Sequence, residues 1–376
     1  MLSKILSSQP KLEPSRTGKI AVVLLNFGGP QNLSETKSFL FNLFNDSAII
    51  RLPQPLRFML ATLISNRRAK KLRNIYQQIG NKSPITDITV AQANLLEKEL
   101  SFFGDYKIFV AMRYNKPFAA DILPDLISYN PDQIILLPLY PQFSTTTTLS
   151  SVAAFLKEYK KYDFSATLKV ICCYPEDQNF AQSHSSLIKQ AIEQSSLKLD
   201  KVRILFSAHG LPQSIINDGD PYAFQIVKSV KAITQNLEES LQIKHAQLDY
   251  VICYQSKVGR MEWTKPSLDF ELRKAALDNK EVVIVPISFT SEHSETLYEL
   301  DIEYKHIAQK LGITNYVRIN ALNLNTYFIK SLVEICKKSS ASKGNIFNGC
   351  NPYRICPKSF KQCINYNECQ TKLSSI

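Results

Sequence analysis

At 376 residues, with 44% hydrophobic and 21% charged residues, the chain is long enough for two ordinary domains and a core that needs no disulfide support, and its composition excludes a disordered chain or a membrane-spanning one. Its 45 Lys and Arg outweigh 33 Asp and Glu by +12, a balance that favours an anionic partner without choosing among phosphate, carboxylate, nucleic acid and an acidic membrane face. Eight cysteines without an export signal point to a reducing compartment, read here as the cytoplasm. In chain order, residues 1–18 lack an apolar run with a small-residue cleavage site and read as an N-terminal extension rather than a signal peptide. Short Val, Ile and Leu runs at residues 20–25, 107–112, 133–139, 168–173, 202–207, 249–254 and 282–288 predict buried parallel strands. Amphipathic stretches at residues 90–101, 151–160, 181–194 and 222–238 predict the helices between them. The fold class is α/β.

A strand opening into Asn26-Phe27-Gly28-Gly29-Pro30 is echoed by one opening into Ser207-Ala208-His209-Gly210-Leu211-Pro212. Likewise Pro138-Leu139-Tyr140-Pro141 is echoed by Pro286-Ile287-Ser288-Phe289. Two similar lobes follow, residues 19–165 and 166–337, with ligand binding in the crevice between their strand ends. The last predicted helix, residues 322–337, is a candidate to cross back between lobes. Residues 338–376 read as a polar linker and a cysteine-bearing tail.

The chain has only 11 glycines and carries no G-x-G-x-x-G, Walker P-loop or G-x-S-x-G. Nucleotide and serine-hydrolase chemistry therefore lose their usual support, and no nucleotide cofactor is expected. No recognisable nucleic-acid module is present, so nucleic acid is not the expected partner. His209 sits where a strand meets a Gly-Pro turn, which can fix an imidazole in a crevice as a base or metal ligand. A histidine there also serves as a plain loop hydrogen-bonder. Glu295, Glu299 and Glu303 recur at i, i+4, i+8 with no Lys between them. On a helix such carboxylates repel one another by a few tenths of a kcal/mol per pair. Together with His293 and His209 they read as a path for a divalent cation or protons, and otherwise as a solvated acidic face.

Seven blocks resemble ferrochelatase in that family's order across roughly residues 19 to 335: Leu25-Asn26-Phe27-Gly28-Gly29-Pro30, Ile79-Gly80-Asn81-Lys82-Ser83-Pro84-Ile85, Met112-Arg113-Tyr114, Leu139-Tyr140-Pro141-Gln142-Phe143-Ser144, Ser207-Ala208-His209-Gly210-Leu211-Pro212, Gln255-Ser256-Lys257-Val258-Gly259 and Phe289-Thr290-Ser291-Glu292-His293-Ser294-Glu295-Thr296-Leu297. The resemblance implies two Rossmann-like lobes of the class II chelatase type. It also implies insertion of ferrous iron, as substrate, into protoporphyrin IX to give protohaem. By position, His209 and Glu295 match the catalytic pair, and His293, Glu299 and Glu303 match residues near the metal. Phe27, Arg68, Ser83, Arg113, Tyr114, Tyr140 and Trp263 match the porphyrin pocket, where Arg suits a propionate because its planar fork pairs bidentately with carboxylate. Alternatives are a chelatase for coproporphyrin III or another tetrapyrrole, and a non-catalytic porphyrin or haem carrier.

Residues 49–64 form an apolar stretch beside Arg67, Arg68, Lys70 and Lys71. This reads as a lip for peripheral contact with an anionic membrane, on its inner face, or as an ordinary helix covering the core. The chain is expected to be a monomer or homodimer. In the tail, Cys350, Cys356, Cys363 and Cys369 are candidate ligands for zinc or an iron–sulfur cluster, although C-x2-C pairs are missing. Animal ferrochelatases draw one cluster ligand from the block where this chain has Ser144-Thr145-Thr146, which argues against a cluster of that type. A cluster bound wholly by the tail, or one using Cys172, Cys173 or Cys253, stays open.

Overall fold

The computed structural model describes residues 18–243, 248–259, 261–342, 344–349 and 354–365. The N-terminal extension before Gly18, Cys350 and Cys369 lie outside the described residues. Nine strands are described, numbered in chain order: β1 Ile20–Asn26, β2 Tyr106–Met112, β3 Gln133–Pro138, β4 Thr167–Cys173, β5 Val202–His209, β6 Tyr250–Gln255, β7 Glu281–Pro286, β8 Tyr316–Arg318 and β9 Ile346–Asn348. They form two parallel sheets flanked by helices, ordered β2-β1-β3-β4-β9 and β6-β5-β7-β8. Each of the seven sequence-predicted strands is present.

The two-residue alternation along β1 explains the layering. Val22 and Leu24 face a core shared by both sheets, whereas Ala21, Val23 and Leu25 face the outer helices of the first lobe. The shared core also takes Ile204 and Phe206 from β5, Val283 and Val285 from β7, and residues of helices Ile85–Leu100, Gln178–Gln194, Tyr222–Leu241 and Thr326–Ala341. Its side chains are fully buried or nearly so, and each contributes about 1.5–3 kcal/mol relative to an exposed one. The two sheets are therefore held as one body. A second core under β7 packs Val282 and Ile284 against Leu268, Leu272 and Leu300.

Two expectations change. The boundary near residue 165 falls before β4, yet β4 pairs in register with β3, from Gln133 opposite Thr167 to Leu136 opposite Val170. Hydrogen bonding thus assigns β4 to the first sheet. The expected linker is also structured. The last helix runs to Ala341, and β9 then pairs in parallel with β4, Val170 opposite Ile346. Ser and Lys make this segment read as polar, but Ile346 and Phe347 are each 8% exposed and are what seats it. Lys169 fastens the crossing: its buried Nζ donates to the carbonyls of Ser339, Ser340 and Ser342 at 2.8, 3.2 and 2.5 Å. That caps the helix C-terminus. Burial pushes the Lys169 ammonium down to about 8.

Candidate active site

The loops at the carboxyl ends of β1, β2, β3, β5 and β7 carry most of the residues singled out in the sequence, which is where parallel α/β sheets bind ligands. Gly28 turns the chain after β1 with φ +80°, and a Cβ there would meet Met112 Cβ at 2.9 Å. Cross-lobe hydrogen bonds tie the floor. Thr290 Oγ1 donates to the Leu139 carbonyl at 2.9 Å, and Gln92 Nε2 donates to the Asn323 carbonyl at 2.8 Å.

His209 is the last residue of β5. Its backbone N–H donates to Ser288 Oγ at 3.1 Å, and its carbonyl accepts from Tyr222 OH at 3.1 Å. Its Nδ1 lies 2.6 Å from the Gly210 carbonyl, which requires a proton on Nδ1 and aims Nε2 outward. Nε2 meets Glu295 Oε1 at 3.5 Å, while the other carboxylate oxygen, Oε2, meets His293 Nε2 at 3.2 Å. The side chains of His209 and Glu295 remain 35% and 29% exposed, so the pair stays open to a ligand in the crevice.

Burial opposes charge on His209, but the adjacent Glu295 carboxylate, with Glu299 behind it, overrides this and pushes the imidazole up to about 9. Burial likewise works against a charged Glu295. His209 and His293 together win and hold its carboxyl well below the usual carboxylate range. Glu299 moves the other way, raised by burial and by the Glu295 charge.

The segment carrying the acidic row is a π-helix, Glu295–Tyr304, rather than an α-helix. Such segments are rare and cluster at functional sites. Glu299 accepts from Ser256 N at 2.8 Å and Gln255 Nε2 at 3.2 Å, and Gln255 Nε2 also donates to the Glu295 carbonyl at 3.0 Å. Glu299 and Glu303 line an outer hollow of about 390 Å³ with Asp269, Tyr304, His306 and Ile307. The row thus runs from His209 to the surface. His209 Nε2 and His293 Nε2 each face one oxygen of Glu295, His293 Nδ1 is buried without a hydrogen-bond partner, and among the described residues no three His, Cys, Asp or Glu side chains are arranged to hold a metal ion. A ready-made coordination sphere of His209, His293, Glu295, Glu299 and Glu303 is therefore not what the structure presents.

The expected porphyrin-pocket residues separate. Trp263 packs close to the His209 turn: a Cβ on Gly210 would meet Trp263 Cε3 at 3.3 Å and the Gln255 carbonyl at 2.9 Å. Phe27 packs edge-on to Tyr114, with centroids 4.7 Å apart. Tyr140 OH sits 3.3 Å from Ser151 Oγ. Ser83 is buried beside Tyr76, whose hydroxyl faces Ser83 and Ser294 near Glu295. Arg68 is exposed, over the Phe44 ring. Tyr114 differs from expectation, being 1% exposed with its hydroxyl donated to Asp46 at 2.7 Å. It supports Arg113 and is not itself open to a ligand.

Tyr76, Asp46, Ser288 and Gln255 were not singled out individually as site residues in the sequence. Gln255 stands at the head of one of the recognised blocks. The other three carry no spacing or charge signal, because their role comes from contacts distant in sequence.

Helix Gln54–Gln78 buries the residues Ala61, Ser65, Ala69 and Tyr76, and turns Leu56, Met59 and Leu63 outward at 56%, 68% and 45% exposure. An ordinary core-covering helix would do the reverse. Among the described residues no helix is long and apolar enough to cross a membrane.

In the tail, Cys356 and Cys363 are buried and hydrogen-bonded to each other, with the Cys172–Cys173 pair within electrostatic range. An irregularity in the β4–β9 register between Ile171 and Cys173 accompanies the approach of the Cys172 and Cys173 sulfurs to 3.3 Å. Cys253 is buried separately, in the core under β7. Thr145, in the block that departs from the animal pattern, is committed to Asp220, donating from N at 2.7 Å and Oγ1 at 2.8 Å.

The overall fold has a counterpart in SirB from Bacillus subtilis, solved with Fe3+: TM-score 0.50 at 13% identity, covering 86% of this chain and 96% of that one. The architecture is that of a two-lobed class II chelatase. A family model described as Ferrochelatase matches residues 19–340. Ferrochelatase from Rickettsia felis is 48% identical over 349 residues, 92% of this chain and 98% of that protein. Ferrochelatase from Pelagibacter ubique is 44% identical over 356 residues, 93% and 99% respectively. The chain belongs to the ferrochelatase family.

Proposed function

We propose that the protein inserts ferrous iron into protoporphyrin IX, releasing two protons and forming protohaem. The observation that carries this reading is the approach of His209 Nε2 to Glu295 Oε1, 3.5 Å apart in an open crevice of a ferrochelatase-family fold. The macrocycle lies against Phe27, Tyr140 and Trp263, with its propionates toward Arg68 and Arg113. Iron arrives along Glu303, Glu299 and Glu295.

The Glu295 carboxylate beside His209 raises its pKa and so favours the protonated imidazole at rest. His209 must lose that proton before it can accept one from a pyrrole nitrogen. A dication reaching Glu295 neutralises the carboxylate and removes the charge that sustains the imidazolium, so metal arrival and base activation are coupled. A cleft that binds a bent macrocycle better than a flat one lowers the barrier further by differential binding. The test is anaerobic incubation of the purified protein with protoporphyrin and ferrous iron, followed optically. Many protohaems per protein support an enzyme, whereas a single stoichiometric binding event indicates a carrier. Faster turnover of coproporphyrin III than of protoporphyrin would move the substrate to the four-carboxylate ring.

The outward-facing Leu56, Met59 and Leu63, flanked by Arg57, Arg67, Lys70 and Lys71, make this helix the side that touches an anionic membrane surface from the cytoplasm. An iron–sulfur cluster at the tail would require Cys172 and Cys173 of β4 and Cys356 and Cys363 to regroup, because among the described residues no three of these buried thiols stand in a metal-holding arrangement. Iron, zinc and sulfide analysis of anaerobically purified protein, with its absorption spectrum, tests whether they do.

A further inference from the structure

Arg113 is held more firmly than a substrate-facing arginine needs to be for attraction alone. Its Nε donates to Ser150 Oγ at 2.7 Å, one Nη2 hydrogen goes to Asp46 Oδ2 at 2.7 Å, and the guanidinium lies 4.9 Å from the Tyr114 ring centroid. The same Asp46 oxygen accepts from Tyr114 OH at 2.7 Å and from Ser150 Oγ. Its other oxygen accepts from Ala48 N at 2.8 Å. The Asp46 side chain is 5% exposed, whereas that of Arg113 is 23% exposed. The carboxylate thus gathers donors from the turn after helix Thr36–Phe44, from the end of β2 and from the helix beginning at Ser150. Of the five guanidinium N–H groups, those on Nη1 and one on Nη2 remain free. Arg113 also lies within electrostatic range of the Tyr140 hydroxyl, on the crevice wall.

We propose that Asp46 is a positioning residue that fixes Arg113 so that its free edge meets one carboxylate of the porphyrin. The proposal deepens the function given above and rests on it. An unanchored arginine samples many rotamers and loses that freedom on binding; here the fork is oriented before substrate arrives. A buried carboxylate partner also lowers the net charge, so the site favours a planar acceptor that matches the fork over anions in general.

The test is Asp46→Asn, Arg113→Leu and the double variant, each measured for porphyrin dissociation constant by fluorescence, kcat in anaerobic iron insertion, and melting temperature. Asp46→Asn is expected to weaken porphyrin binding by about tenfold, the scale of losing an oriented charge-assisted hydrogen bond, while kcat stays within about threefold. In the Arg113→Leu background it is expected to add nothing. Additive losses, or a fall in kcat with binding unchanged, would overturn the positioning role while leaving Arg113 as a substrate contact. Normal porphyrin binding by Arg113→Leu would instead remove the contact itself, and the proposal with it. If Asp46→Asn does not fold, Ser150→Ala removes only the hydroxyl bridging Arg113 and Asp46. It is expected to weaken binding severalfold in the native background and not at all beside Arg113→Leu, and additivity there would again overturn the role.

Discussion

Glu295→Gln is the perturbation that isolates the electrostatics of the crevice. It keeps shape and hydrogen-bonding length while removing the charge that raises His209 from 6.5 to about 9. The full displacement would correspond to about 3 kcal/mol at 1.36 kcal/mol per unit. About a third of each side chain is open to solvent, so screening reduces the working figure to about 1–2 kcal/mol, or about one pH unit. The variant's His209 is therefore expected to titrate about one unit lower, with burial then drawing it further toward neutrality. The assay is a proton–carbon NMR titration of the imidazole C–H in protein labelled at histidine, with His209→Ala identifying the resonance. The sign for stability follows. A raised histidine pKa stabilises fully below 6.5 and loses its contribution as pH rises through about 9. The depressed Glu295 contributes fully above 4.5 and loses its share as pH falls below that value. The melting-temperature gap between native protein and Glu295→Gln should be widest between pH 4.5 and 6.5 and close above about 9. An unchanged or raised His209 pKa in Glu295→Gln would refute the reasoning.

Lys169→Met removes the ammonium that holds three carbonyls at the end of helix Thr326–Ala341. Leaving them unmatched should cost about 1–3 kcal/mol in urea denaturation, and no change would show that water replaces the lysine. Gly28→Ala places a Cβ 2.9 Å from Met112 Cβ at φ +80°. It should destabilise by about 1–3 kcal/mol, whereas a neutral result would mean that the turn relaxes. Replacing Leu56 and Met59 together by Ser should leave the melting temperature within a degree or two, because both face outward, while lowering co-sedimentation with anionic phosphatidylglycerol vesicles severalfold. Equal sedimentation of both proteins would take the lip away from the membrane.

The long parallel strands were legible because burial on both faces demands uninterrupted apolar runs, as in Ile20–Asn26 and Val202–His209. β8 and β9 escaped notice for a physical reason. Each has three residues, and β9 is seated by Ile346 and Phe347 inside a Ser- and Lys-rich stretch whose pairing partner is far away in sequence. The lobe boundary was misplaced because nothing in Thr167–Cys173 says which sheet it joins. Glu295, Glu299 and Glu303 were visible from their spacing, but the i+4 rhythm concealed the π-helix they stand on. His209 and Glu295 were found through motif context, and their approach to 3.5 Å is a tertiary fact. Asp46 lay hidden altogether, since its importance comes from Arg113, Tyr114 and Ser150 arriving around it.

Anaerobic iron insertion by His209→Ala bears most directly on the whole account, with porphyrin affinity measured alongside by fluorescence. An imidazole that accepts a pyrrole proton should be worth a factor of about 10²–10⁴ in kcat, with porphyrin affinity within about threefold of the native protein. Insertion at a near-native rate by His209→Ala would contradict the assignment of proton transfer to this strand end.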